Sequence, residues 1–205
     1  CLLSRGLGDV YKRQGRNCYR SFHRPNEATY NDADYLRRTL EQQGHWSIAE
    51  HATATLYFTG VSRAFLAELT RHRHLSFSVE SQRFINANNA NIVAPPAMRN
   101  SQSLRDDLEL DAEGALDFYK YTAEQLLDAG LTRKQAREAA RAFIPNCIET
   151  RMVVTGNLRA WHEVIERRTK PDADAEMQEV MRLAAQELHT VSPIIFPKEN
   201  TSDRK

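Results

Sequence analysis

RHRHLSFSVESQRF, residues 71 to 84, gathers Arg71, Arg73 and Arg83 with His72, His74 and three serines in a stretch free of glycine and proline. Guanidinium groups stay charged and donate in planar forks, so several together suit phosphate or carboxylate. A run of cations usually reads as a solvated face. Here half of the segment is apolar or hydroxylic, which predicts partial burial, and a buried arginine is costly unless an anion pairs with it.

Working outward, residues 52 to 59 (ATATLYFT) alternate Ala52, Ala54, Leu56 and Phe58 with Thr53, Thr55, Tyr57 and Thr59, which is a strand period. Ser62 then caps a helix to about Thr70, with Ala64, Phe65, Leu66 and Leu69 expected inward. Upstream, Asn31 and Asp32 cap a helix that runs to Gln43 and stops at Gly44, with Leu36 and Leu40 on one face. Ser47 is expected to cap a short turn holding Glu50 and His51.

Downstream, residues 85 to 100 read as an irregular connection around Pro95-Pro96. A helix follows from Leu104 to Ala129, striped by Leu116, Tyr119, Ala123 and Leu126 and stopped by Gly130. Thr132 and Gln135 form a capping-box pair for the next helix, to Phe143. Residues 147 to 155 read as a second strand, Asn157 opens a helix to Arg168, and a last helix spans residues 174 to 190. Its apolar face is Met177, Val180, Met181, Ala184 and Leu188.

With 205 residues the chain has enough length for one domain with a proper core. The formal charge of +1 gives no global field to recruit nucleic acid, so phosphate affinity must come from local arginines. No apolar run approaches the roughly 20 residues that cross a bilayer. Cys1, Cys18 and Cys147 show no metal-like spacing, and a reducing cytoplasm is the simplest setting. Helices dominate over at least two strands, which gives one α/β domain. No G-x-G-x-x-G follows a strand, so a Rossmann cradle is not expected. Residues 1 to 14 (CLLSRGLGDVYKRQ) resemble translated sequencing read-through. They are set apart as a non-native leader, not a signal peptide, with the domain at 15–197 and a tail at 198–205.

The spacing R-H-R, seven residues, then Ser81 resembles the flavin-dependent thymidylate synthase family. Other blocks agree in order: His45 to His51 (HWSIAEH), Ala140 to Pro145 (ARAFIP), Gly156 to Arg159 (GNLR) and Arg167-Arg168. The RHRH-x-S-x-S version is similar to the actinobacterial branch. The resemblance runs from about Gly15 to Pro197. It implies an α+β domain with a small, mostly antiparallel sheet flanked by helices, assembled as a homotetramer with active sites between subunits. A further strand, implied ahead of the block at Gly15 to Phe22, has no counterpart in this sequence.

The implied reaction is reductive methylation of dUMP to dTMP, with carbon from 5,10-methylenetetrahydrofolate and reducing equivalents from NADPH through FAD. Contacts to FAD are implied for Ser47, Arg71, His72, Arg73, Val79, Asn157, Leu158, Arg159 and Glu163. Contacts to dUMP are implied for Glu68, Leu69, Thr70, Arg71, Val79, Glu80, Ser81, Gln82, Arg83, Arg141 and Arg168. Arg168 is the expected catalytic residue, since a guanidinium beside the pyrimidine N3 and O2 favours negative charge on the ring. Its bland role is a cation completing a helix C-terminus, which suits Arg167 better. Any one of these arginines alone reads as a surface ion pair, worth about 0–1 kcal/mol.

Several positions depart from the family. Val79 stands where a Glu or Gln is common, with Glu80 displaced by one. Phe84 replaces Tyr, Glu163 replaces Asn or His, and Asp172 replaces His. Acids near a pyrophosphate repel it. Ser81 has no evident general base and is expected to hold phosphate rather than attack. No motif contains a cysteine nucleophile, a need that hydride delivery from a flavin removes. Two other readings stay open: a nucleotide-binding homologue without catalysis, and a metal-dependent hydrolase built on His45, His51, His72 and His74 with Glu50 as base. The histidine spacing is not that of H-E-x-x-H.

Overall fold

The computed structural model describes residues 7–24 and 31–198. The expectations for residues 1 to 6 and 199 to 205 lie outside the described residues. Helix α1 is Leu7–Tyr19, followed by α2 Asp32–Leu36, which continues as a π-helical stretch Arg37–Gln42. A 3-10 helix, Trp46–His51, leads into strand β1 Thr53–Ser62, then α3 Arg63–Leu69 and β2 Leu75–Val79. The remaining elements are α4 Gln102–Asp128, α5 Arg133–Ala140, β3 Glu149–Asn157, α6 Leu158–Arg168 and α7 Ala175–Val191.

The three strands form one antiparallel sheet in the order β1-β3-β2. The architecture is therefore a single α+β domain with β3 as its central strand. Thr55 faces Thr155 across β1 and β3, with their hydroxyls 2.9 Å apart. β1 runs past the expected Thr59 to Ser62 because a bulge between Phe58 and Val61 absorbs Gly60, whose φ is +67°. β2 is an element that the reading of the sequence did not assign. The alternation Leu75, Phe77, Val79 is a strand period, but it is embedded in the cation-rich segment.

Caps hold the helices where the residue types predict. The Ser62 hydroxyl accepts from the Phe65 N–H at 3.0 Å, and Thr132 with Gln135 completes a capping box. The Asn157 side chain accepts from the Ala160 N–H at 2.8 Å. Ser47 does not cap its turn. His45 occupies that position, and Ser47 lies inside the 3-10 helix. Ala64, expected inward, is exposed on α3.

The main core joins the inner face of the sheet to α3, α6 and α7, with Phe58, Phe65, Leu69, Val154, Trp161, Met177, Met181 and Leu188 buried. Trp161 donates its indole N–H to the Ala54 carbonyl at 3.1 Å, so its large apolar body is buried with its polar atom satisfied. The chain ahead of Gly15 is helical where described, and Tyr11 on α1 is buried in this core. A smaller cluster of Ala87, Leu116, Tyr119, Ala140 and Ile148 anchors α4 and α5. The outer face of the sheet is open: Tyr57 is 63% exposed, and Val153 is exposed beside it.

Candidate active site

α3 ends at Thr70, and the chain turns through Arg71 to His74 before β2. The turn is fixed by the His72 N–H to the Leu69 carbonyl at 3.1 Å and the Leu75 N–H to the His72 carbonyl at 3.3 Å. His72 and His74 therefore sit in a turn ahead of β2. Facing this turn is α6. Between them lies a cleft of about 280 Å³, with Arg71, His72, Arg73 and His74 on one side and Ala160, Glu163, Val164 and Arg167 on the other.

The end of α6 closes this cluster. Arg168 Nε donates to His72 Nε2 at 2.8 Å, and Arg168 Nη1 lies 3.4 Å from Glu68 Oε2. Glu68 also meets Arg71 Nη1 at 3.5 Å, so one carboxylate bridges two guanidiniums. The side chain of Arg168 is 17% exposed and that of Arg71 is 70% exposed. Arg168 is thus the withdrawn cation and Arg71 the one offered to solvent. Burial, then the cations Arg168, Arg167 and Arg71, hold the His72 imidazole below its ordinary range against the pull of Glu68.

Arg159, in the first turn of α6, is held by two acids. Its Nη1 is 2.6 Å from Glu50 Oε1, and its Nε is 2.9 Å from Glu163 Oε1. Its hydrogen bonds to Glu163 and then to Glu50 push its pKa up. Leu158 is buried, and its N–H is bonded to the Ala52 carbonyl at 2.9 Å, while Asn157 is the α6 cap. Both positions anchor α6 against β1.

A second set follows β2. Val79 ends the strand and is half-buried, and the exposed Glu80 donates its N–H to the Arg151 carbonyl at 2.9 Å. The Ser81 hydroxyl accepts from the Arg83 N–H at 3.4 Å. Arg83 Nε lies 2.9 Å from Glu138 Oε2 but off-line, an ion pair rather than a hydrogen bond. Glu80 and Gln82 border a cleft of about 260 Å³ with Arg63, Glu149, Thr150 and Arg151. Burial and then nearby Arg141 lower the Arg63 pKa, while Glu80 raises it. Arg141 itself is exposed after α5.

Ser47 and His45 border a third cleft, of about 480 Å³, with Gly15, Arg16, Arg38 and Tyr35. One chain therefore brings Glu68, Arg71, His72, Arg73, Glu163 and Arg168 together, while Ser47 lines another cleft and Glu80 and Gln82 a third. Leu69 and Thr70 belong to the α3 end, with Leu69 buried. Arg63 was not assigned by the sequence reading, which gave Glu50 only the part of a hydrolase base and Arg167 only that of a helix-end cation. The Glu50 partnership spans 109 residues, and no local spacing announces it. Among the described residues no group of His, Cys, Asp and Glu gathers to hold a metal ion, and no helix is long and apolar enough to cross a membrane.

Residues 8–194 match the family model described as thymidylate synthase complementing protein. A probable flavin-dependent thymidylate synthase of Mycobacterium phage L5 is 48% identical over 189 residues, covering 87% of this chain and 75% of the relative. The flavin-dependent thymidylate synthase of Mycobacterium tuberculosis (strain H37Rv) is 41% identical over 189 residues, covering 89% of this chain and 75% of the relative. Thymidylate synthase X of Helicobacter pylori, solved with FAD and dUMP, superposes with a TM-score of 0.65 at 20% identity, covering 94% of this chain and 95% of the other. At that identity the superposition speaks for the fold, whereas the mycobacterial and phage relatives and the family model speak for descent: the chain belongs to the flavin-dependent thymidylate synthase family.

Proposed function

We propose that this protein converts dUMP to dTMP with FAD as its cofactor. The methyl carbon comes from 5,10-methylenetetrahydrofolate and the reducing equivalents from NADPH. The observation that carries the reading is the withdrawn Arg168, held by His72 and Glu68 at the rim of an arginine-lined cleft.

The donor set fits a dinucleotide. Arg71, Arg73 and Arg167 offer guanidiniums on one cleft, matching the two anionic phosphorus centres of FAD. When bound, FAD supplies the reducing equivalents that turn the transferred methylene into methyl. Arg168 places a fixed positive charge where the pyrimidine ring gains negative charge, with no reorganisation needed at that moment. Ser81, Arg83 and Arg141 hold the nucleotide phosphate. Burial pushes the Cys147 thiol up, which leaves it protonated and inert as a nucleophile.

The site residues are divided among three clefts of one chain. That division supports a homotetramer in which neighbouring subunits complete each active site, and the open outer sheet face with Tyr57 and Val153 provides apolar surface for such contacts. A cytoplasmic setting suits a reaction that draws on NADPH and reduced folate.

The test is turnover by purified, FAD-loaded protein, comparing wild type with Arg168→Ala. Wild type yields dTMP, and the variant keeps FAD while losing at least about a hundredfold in kcat, the usual scale for a stabilising group at developing charge. Near-normal turnover in the variant refutes the role of Arg168.

A further inference from the structure

We propose that His72 is a positioning residue for Arg168: its unprotonated Nε2 accepts the Arg168 Nε–H and fixes the guanidinium, so the site works only with a neutral imidazole. The proposal rests on the dUMP-methylating reading above and adds a residue and a protonation state to it.

Among the described residues, Arg168 has two anchors, and they differ in quality. The His72 contact is 2.8 Å, while the Glu68 contact is 3.4 Å and shared with Arg71 at 3.5 Å. Glu68 is also 40% exposed, so water competes for its oxygens. The imidazole is therefore the group that sets the direction of the Arg168 fork. A guanidinium has five N–H donors and no acceptor, so its partner atom must be a lone pair. That requirement fixes the tautomer: Nε2 bare, Nδ1 carrying the proton.

The surroundings keep the ring neutral. From its own turn Arg71, Arg73 and His74 flank it, from α3 Glu68, and from α6 Glu163, Arg167 and Arg168. Cations outnumber carboxylates on every approach but one. Adding a proton to Nε2 sets a donor against a donor and a cation against a cation, and the Arg168 fork loses its stop.

Two substitutions separate positioning from bulk. In His72→Gln the side-chain carbonyl reaches close to the former Nε2 position and cannot titrate. In His72→Asn the acceptor falls about one bond short. For FAD-loaded wild type, kcat at saturating dUMP falls on the acid side with one proton. Glutamine flattens that acid limb, read against its own plateau at neutral pH. Asparagine lowers kcat about tenfold or more below the glutamine variant, the scale of one hydrogen bond to a charged group, with both compared at saturating FAD. An acid limb unchanged in His72→Gln overturns the proposal, as does equal loss in both variants together with loss of FAD.

A readout independent of turnover comes from the nitrogen-15 histidine spectrum of the protein. The expected spectrum shows His72 protonated at Nδ1 alone near neutral pH, with a pKa that rises in Arg168→Ala. A ring protonated at Nε2 overturns the inference whether or not the protein makes dTMP. Absence of dTMP beside the expected tautomer overturns the methylation reading instead.

Discussion

The Arg159 guanidinium donates through Nε to Glu163 at 2.9 Å, four residues on along α6, while its Nη1 meets Glu50 at 2.6 Å. The resemblance implies Asn or His at the position of Glu163, and an FAD contact for its partner Arg159. An arginine already neutralised by two carboxylates offers less to an incoming phosphate.

Replacing Glu163 with Gln removes one of those charges without changing shape. FAD affinity is expected to rise two- to fivefold, about the free energy of one exposed ion pair. Titration of flavin-stripped protein with FAD measures it, and the gain shrinks as salt rises. Unchanged or weaker binding shows that Glu163 is not a competitor for Arg159.

A buried acid ties two helix starts together. Glu176 at the head of α7 accepts from the Ser62 hydroxyl at 2.6 Å and the Ser62 N–H at 2.8 Å, while Ser62 caps α3. Glu176→Ala leaves those donors unpaired. The expected loss is about 2–3 kcal/mol, or roughly 4–10 °C in Tm for a chain of this size. Scanning calorimetry checks it, and a fall below about 1 °C contradicts the role given to this contact.

Gly156 sits near the end of β3, opposite Ala54 on β1 and Leu75, the first residue of β2 after the arginine turn. An added Cβ collides with the Leu75 side chain and lies 3.3 Å from Trp161 Nε1. Gly156→Ala is expected to cost about 1–3 kcal/mol, as overpacking does in a filled core. Because Leu75 anchors the end of the turn, FAD retention should fall together with Tm.

Glu149 links stability to pH. Burial pushes its carboxyl up, but hydrogen bonds from Asn91, the Gly60 N–H and Arg151 outweigh that and hold it below the usual range. A lowered folded pKa gives stability that is present above the unfolded value of about 4.3 and is lost as pH falls through the folded one. Asn91→Ala should cost about 1 kcal/mol at neutral pH. The gap from wild type should close at acid pH, read from urea midpoints across pH. A gap constant with pH excludes Glu149 as its source.

What could be read from the residues was largely local. The caps at Ser62 and Thr132, the helix starts near Asn157 and Asp174 and the stops at Gly44 and Gly130 depend on chemistry within a few residues, and the structure places them there. β2 is hard to read because its five residues, which alternate apolar side chains with Ser76 and Ser78, lie inside a cation-rich segment. The π-helical continuation of α2 escaped because residues 37 to 42 carry no local signal for it. At the site, spacing and resemblance named His72 and Arg168, but not that one hydrogen-bonds the other. That contact spans 96 residues and depends on how α6 lies against the turn. The pairing of Glu50 with Arg159 is hidden for the same reason.

The central claim is that scattered arginines orient dUMP for methylation in a flavin-loaded protein. The direct measurement is dTMP produced per NADPH consumed, from dUMP and 5,10-methylenetetrahydrofolate, with and without FAD. With oxygen excluded, equimolar dTMP and NADP⁺ are expected in the complete mixture, and no dTMP when FAD or dUMP is left out. Protein saturated with both FAD and dUMP that oxidises NADPH yet releases no dTMP would contradict it.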